Sequence, residues 1–173
     1  MAGLPAGVGP SPVIGWRVDY ADYRDTWDSG IGAEKQGGRW NAMGFSAVYA
    51  SLDPSTAILE VAVHKGFKVL DTVPHVLTAF EMPDSKDILV VRTEDVPNPA
   101  WLVPGSPGAG QQAYGEQLLR KHPFVAIPSA VSKHSWNLFF NPKLAAGKYN
   151  VLLQKPLGID TRLHPPTITS KKP

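Results

Sequence analysis

The chain has 173 residues, 17 Lys+Arg against 15 Asp+Glu for a formal net charge of +2, 16 Gly, 17 Pro and no cysteine. That length suits one domain, with a core large enough to fold without covalent staples. The missing cysteines exclude a disulfide framework, a thiolate zinc site, an iron–sulfur cluster and a cysteine nucleophile, and they suit a reducing cytoplasm.

Residues 1–12, rich in Gly, Pro and Ala, read as a flexible N-terminal extension. They carry no basic start before an apolar run, and no later stretch approaches the ~18 apolar residues of a spanning helix, so a soluble, unexported, cytoplasmic protein with no membrane partner is expected. Val13–Tyr20 reads as a short strand carrying Trp16 and Arg17. The polar stretch Ala21–Asn41, with Gly30, Gly32, Gly37 and Gly38, reads as a long loop. Phe45–Ser51 is a second strand that runs into Asp53-Pro54, where Asp53 caps a helix whose first position is Pro54. The helix continues to about Lys65 and stops at Gly66. Ala57, Ile58, Leu59, Val61, Ala62 and Val63 surround its one acid, Glu60, a pattern that predicts a buried helix.

Further strands are expected at 76–82, 88–91, 124–127, 136–140 and 149–153, with a second helix over 111–121. The Pro/Gly-rich stretch 96–110, which contains Trp101, reads as a functional or mobile loop. Residues 13–163 then make one α+β domain, compact, with short mixed strands and a few helices, and 164–173 form a flexible basic tail. Charge divides along the chain: residues 1–114 hold 8 Lys+Arg and 13 Asp+Glu, residues 115–173 hold 9 and 2. Either the basic third faces an anion, or the two parts interleave in space and cancel.

The common catalytic templates are absent: no GxxxxGK(S/T) loop, no GxGxxG opening a helix, no HExxH and no GxSxG. The histidines, at 64, 75, 122, 134 and 164, are too scattered for a metal-ligand pattern; Glu60 and His64 share a helix face, but two ligands do not make a site, and no metal is expected. What remains is a set of polar residues that structural economy does not demand. Glu60, among apolar neighbours, must be paired, protonated or turned into a cleft. It is either a buried salt bridge, with Arg17 or Arg39, or a cleft acid suited to a sugar hydroxyl and a cationic transition state. In Gly37-Gly38-Arg39-Trp40-Asn41 the glycines allow close backbone approach and Arg39 presents a planar fork for a phosphate, unless the glycines merely make a turn. Tyr49 is either core or a stacking platform for a heterocycle. Ser129, after the strand at 124–127, reads as a hydrogen-bonding hydroxyl or a turn residue rather than a nucleophile.

Taken in order, Trp16-Arg17, GGRWN at 37–41, Gly44, VYAS at 48–51, a helix with Ala57 and Glu60, PSAV at 128–131, Asn137, Asn141-Pro142 and the closing IDTRL at 159–163 resemble the RES domain, a bacterial family named for an arginine, a glutamate and a serine. The resemblance implies Arg39, Glu60 and Ser129 as the catalytic set, and Arg17, Arg39, Tyr49, His64, Ser129 and Asn137 as contacts to NAD. It further implies a fold related to ADP-ribosyltransferases and a toxin of a type II toxin–antitoxin pair. Such a toxin consumes NAD by hydrolysis, phosphorolysis or ADP-ribosyl transfer, with no metal or other cofactor required. The implied partner is an Xre-like helix-turn-helix antitoxin, with a homodimer or a higher assembly with that antitoxin left open and no direct nucleic-acid contact by the toxin itself. The stretch between Ser129 and Asn137 departs from relatives in lacking an acid. Two other readings stand beside this one: a nucleic-acid-binding module using the basic third with Trp136, Phe139 and Phe140, which predicts strong salt dependence, and a non-catalytic domain that only binds a partner.

Overall fold

The computed structural model describes residues 12–160. Its strands are β1 (Val13–Tyr20), β2 (Val48–Ser51), β3 (His75–Met82), β4 (Ile88–Val90), β5 (Phe124–Pro128), β6 (Trp136–Phe140) and β7 (Asn150–Pro156). They form one seven-stranded sheet in the order β4-β5-β6-β2-β1-β3-β7. Only β4 and β5 run parallel; every other neighbouring pair is antiparallel. The strand order decides the question of charge. β5 and β6, from the basic third, lie between β4 and β2, so the acidic and basic parts interleave in one sheet. The expected extension, apart from Pro12, and the expected basic tail lie outside the described residues.

Because side chains alternate across a strand, each face of the sheet collects its own residues. One face carries a continuous apolar cluster in which Val13, Val48, Phe80, Met82, Phe124, Leu138 and Phe140 pack with Trp27 and Ala145. The opposite face carries two separate clusters. Under α4 (Ala109–Leu119), Leu119, Val125, Ile127 and Phe139 pack with Trp40 and Ala47. Toward the other edge, Val18 and Leu77 pack with Ala57 and Ala62 of α2 (Pro54–Lys65) and Leu70 of α3 (Phe67–Thr72). In the strip between them, on β2 and β6, the paired residues are Ser51 and Asn137.

Several sequence expectations change. The stretch 21–41 is not all loop: a 3-10 turn at Ala21–Thr26 and a short helix, α1 (Ile31–Gln36), occupy it. Gly30 and Gly37, with φ of 73° and 72°, bracket α1 rather than preventing it, since glycine adopts those angles without a Cβ clash. The second strand is shorter than expected. A four-residue helix, α5 (Pro142–Ala145), begins at Asn141, whose Oδ1 accepts from the Lys143 and Leu144 amides. Within 96–110 the chain makes a 3-10 turn at Pro99–Leu102 and sets the Trp101 ring against Tyr114, tilted by 41° with 5.7 Å between ring centroids.

The main correction concerns α2. Its bounds and cap are as expected, the Thr56 amide donating to Asp53 Oδ1 at 2.8 Å. It is not a buried helix: only Thr56, Ala57 and Ala62 are buried, and Val63 is 58% exposed. One stripe, with Ile58 and Val61 half-buried beside it, suffices to pack against β1 and β3, so Val63 stays at the surface and Glu60 falls at the margin of the packed stripe.

The backbone contact between α4 and Trp40 gives a direct test of packing. A Cβ on Gly115 would stand 2.2 Å from the Trp40 carbonyl oxygen and 2.5 Å from its Cβ, whereas one on Gly110 would meet only the Trp101 ring at 3.7 Å. Gly115→Ala should therefore destabilise the domain by about 1–3 kcal/mol in urea unfolding through overpacking. Gly110→Ala, in the same helix, should stabilise it by about 0.5–1 kcal/mol.

Candidate functional site

The strip between the two apolar clusters holds a directional chain of hydrogen bonds. Ser51 Oγ donates to Asn137 Oδ1 at 3.0 Å, and Asn137 Nδ2 donates to Glu60 Oε1 at 2.5 Å. Ser129 Oγ donates to the same Glu60 oxygen at 2.7 Å. The acceptor end of the Asn137 amide is fixed by Ser51, so its NH2 is aimed at the carboxylate. Ser51 and Ser129 are buried, at 1% and 3% exposure, while Glu60 is half-buried. Its second carboxylate oxygen takes no hydrogen bond from a described residue. The salt bridge that the sequence left open does not form: Glu60 has no Arg or Lys partner among the described residues.

Ser129 is placed by the turn it opens. Its Oγ accepts from the amides of Val131 and Ser132 at 3.1 and 3.0 Å, and its own amide donates to the Ser135 carbonyl. Both lone pairs and the proton are therefore engaged, which suits a brace for Glu60 and leaves nothing to activate it as a nucleophile. The turn joins β5 to β6, and it delivers Ser129 and Asn137 to one oxygen of a residue from the other half of the chain.

Arg39 lies on the turn held by Tyr49, two residues before Ser51 on β2. Its Nη1 donates to the Trp101 and Val103 carbonyls at 3.3 and 3.4 Å, and its Nη2 to the Gly105 carbonyl at 3.2 Å. These are long contacts to neutral carbonyl acceptors, and no carboxylate pairs with Arg39 among the described residues. The same contacts tether the Trp101–Gly105 stretch to the turn that carries Arg39. Gln111 Nε2 adds a bond to the Trp101 carbonyl.

Tyr49 holds the turn that carries Arg39. Its hydroxyl accepts from the Trp40 amide at 2.9 Å and donates to Asn41 Oδ1 at 2.7 Å. Burial pushes the phenol far above its ordinary pKa, against the opposing effects of the Trp40 amide and the Arg39 charge, so the proton stays available for Asn41. A Cβ on Gly38 would stand 2.6 Å from that hydroxyl, which is why glycine precedes Arg39. The Tyr49 ring stacks on Phe139 at 6.0 Å. Tyr49 is thus a structural tie on one side, and it projects from the same face of β2 as Ser51, roughly 7 Å along the strand.

Arg17 and His64 stand apart from this network. The Arg17 guanidinium is engaged by Asp19 and by the Tyr49 carbonyl. His64 is exposed near the end of α2 and makes no contact with the Glu60 network. Asn41, fully buried, was quoted in the sequence only as part of GGRWN; its Nδ2 donates to the Ala33, Ala42 and Phe45 carbonyls and knots the turn. Ser51 enters the sequence pattern only within VYAS, and no sequence signal marks Gln112 or Glu116. Gln112 donates to the Gly38 carbonyl and Glu116 accepts from the Ala42 amide, so α4 braces the turn from below. No sequence signal marks residues seventy positions apart as partners.

Phe139 and Phe140 are fully buried, which removes them from any base-stacking surface. Among the described residues no three His, Cys, Asp or Glu side chains gather as metal ligands, and no helix is long and apolar enough to cross a membrane. An open groove of about 770 Å³, lined by Phe45, Arg120, Asn141 and Lys143 among others, does not include Arg39, Glu60 or Ser129.

Comparison with known proteins matches residues 14–160 to the RES domain. The chain is 32% identical over 155 residues to "Toxin Res" of Photorhabdus laumondii, covering 87% of this chain and 97% of that one. It is 30% identical over 135 residues to "Prs ADP-ribosylating toxin" of a Sphingobium species, covering 73% and 81%. The fold is similar to a chain in the crystal structure of the M. tuberculosis MbcT-MbcA toxin-antitoxin complex, with a TM-score of 0.69 and 20% identity over 86% of this chain and 85% of that one.

The hydrogen-bond pattern separates two substitutions of the same network. Glu60→Gln keeps an oxygen for both donors, so its unfolding free energy in urea should stay within about 1 kcal/mol of the parent. Ser129→Ala removes the acceptor of two turn amides and one donor to Glu60, and it should cost about 1–3 kcal/mol. Global unfolding of Glu60→Gln would mean that the carboxylate is a structural charge after all.

Proposed function

The chain belongs to the RES domain family, and from that footing we propose that it is the toxin of a toxin–antitoxin pair and that it cleaves the nicotinamide–ribose bond of NAD. The observation that carries the reading is the Glu60 carboxylate, held at one oxygen by Ser129 and Asn137 at the margin of the packed face, with the unpaired charge of Arg39 beyond Tyr49.

The chemistry asks for such an arrangement. When the bond from ribose C1′ to the pyridinium nitrogen breaks, its electron pair leaves with nicotinamide, which departs neutral and needs no proton. The ribose is left oxocarbenium-like, and a fixed negative charge lowers the barrier. Glu60 supplies that charge and an acceptor for a ribose hydroxyl, while Ser129 and Asn137 keep the carboxylate from rotating away. Arg39 is suited to the pyrophosphate, for which it would exchange its weak contacts to loop carbonyls. An acceptor then attacks C1′. With water the products are ADP-ribose and a proton, with phosphate ADP-ribose 1″-phosphate, with a protein side chain an ADP-ribosylated target. The partner that silences the toxin is an antitoxin of the Xre helix-turn-helix kind, and the site of action is the cytoplasm. Tyr49 serves the site by holding the turn that carries Arg39, and Arg17 joins it only through the Tyr49 carbonyl; no metal or further cofactor enters.

Purified protein incubated with NAD should release nicotinamide, in the absence of phosphate, in its presence, or with a labelled protein as the second product. Glu60→Gln should lower kcat by about 10²–10³ while leaving the fold intact. Arg39→Ala should mainly raise KM. No nicotinamide release and no labelled acceptor under any of the three conditions would reject the enzymatic reading and favour a domain that only binds a partner.

A further inference from the structure

The β1–β2 ladder is one residue pair long. Trp16 pairs with Ser51, and beyond it the strands part. A carbonyl left at such a fork needs another donor. For Tyr49 that donor is a side chain: Arg17 Nη1 donates to the Tyr49 carbonyl, and Arg17 Nη2 donates to Asp19 Oδ1 at 2.5 Å. The two side chains are only 23% and 12% exposed. Arg17 Nε and Asp19 Oδ2 are buried without a hydrogen-bond partner among the described residues.

A half-satisfied buried ion pair is a poor way to gain stability, because desolvation offsets most of the attraction and each orphaned atom adds to the cost. Burial accordingly pushes the Asp19 carboxyl above its ordinary pKa, with the Arg17 guanidinium opposing that shift. The other charged or titratable groups facing Asp19 are Lys65 at the end of α2 and His75 at the start of β3. Neither Arg17 nor Asp19 reaches the Glu60 network. What the pair does reach is Tyr49, whose hydroxyl fixes the Trp40 amide and the Asn41 side chain in the turn next to Arg39.

We propose that Asp19 is a positioning residue: it orients Arg17, Arg17 pins the Tyr49 backbone where β1 and β2 diverge, and Tyr49 thereby sets the turn that presents Arg39. The effect on catalysis rests on the NAD-cleaving reading above; the effect on the turn does not. Loss of Asp19 frees Arg17 to turn away from the carbonyl, and the Gly37–Asn41 turn loosens while the Ser51–Asn137–Glu60 chain stays in place. Arg39 contacts the bound dinucleotide throughout the reaction, so a misplaced Arg39 weakens ground state and transition state alike and appears in KM rather than kcat.

The test uses the full chain with Asp19→Ala, Asp19→Glu and Asp19→Asn, read in two ways. Steady-state kinetics of nicotinamide release should show KM for NAD raised about tenfold in Asp19→Ala with kcat within about twofold, and most of the loss restored in Asp19→Glu. Amide hydrogen exchange should show the Gly38 and Trp40 amides losing protection in Asp19→Ala while the amides of the β5–β6 ladder keep theirs. Asp19→Asn retains an acceptor for Arg17 and should show the same pattern at smaller amplitude, so it decides the matter if Asp19→Ala does not fold. An unchanged KM in an active, folded variant, or a turn that keeps its protection, overturns the proposal. If the wild-type chain releases no nicotinamide, the NAD reading falls, and the exchange measurement still decides whether Asp19 holds the turn.

Discussion

A carboxylate oxygen that receives two hydrogen bonds from the far half of the chain is the constraint around which this fold is arranged. Glu60 comes from α2, Ser129 from the end of β5 and Asn137 from the start of β6, and they meet only because β5 and β6 are inserted beside β2. The apolar packing respects that meeting. On the face that carries α2 and α4 the core is divided in two, and the polar residues occupy the division. A continuous core across this face would bury more apolar area, about 25 cal/mol for each Å². The sheet forgoes that gain in the strip where Ser51, Asn137 and Glu60 lie, as expected where function and stability compete.

The second half of the site is built by a different device. Arg39 sits on a turn with little regular structure, and its precision comes from bracing on several sides. Tyr49 holds the turn through its hydroxyl, Asn41 knots it to three carbonyls, and α4 supports it through Gln112, Glu116 and the close approach at Gly115. The guanidinium itself contacts only backbone carbonyls, at 3.2–3.4 Å, and no carboxylate among the described residues. Rigid support behind a lightly engaged cation is the arrangement that binds a phosphate group with little reorganisation.

Much of this was legible in the residues. Asp53-Pro54 marked the start of α2, Gly66 its end, and the β-branched and aromatic runs marked most strands, because these are local signals. Arg39, Glu60 and Ser129 stand out as polar residues in places that packing does not require, and their order along the chain carries the family resemblance. An all-round apolar composition predicts burial of α2 but does not say which stripe finds a partner; the sheet offers one face, and Val63 is left outside. The short helices α1, α3 and α5 leave no pattern in the sequence, since a helix of four to six residues has too little periodicity to read. The partners of Glu60 were also beyond reach, as a hydrogen bond across seventy residues depends on strand order, which local pattern does not encode.

The placement of NAD is the point on which the two halves of the site must agree. A crystal structure of the Glu60→Gln variant with NAD bound should show the nicotinamide ribose hydroxyl within hydrogen-bond distance of residue 60, between Ser129 and Asn137, and the pyrophosphate against Arg39. A dinucleotide seated instead in the groove beside Phe45 and Arg120, or one that leaves residue 60 without contact, would contradict the assignment of the polar strip on β2 and β6 as the NAD site.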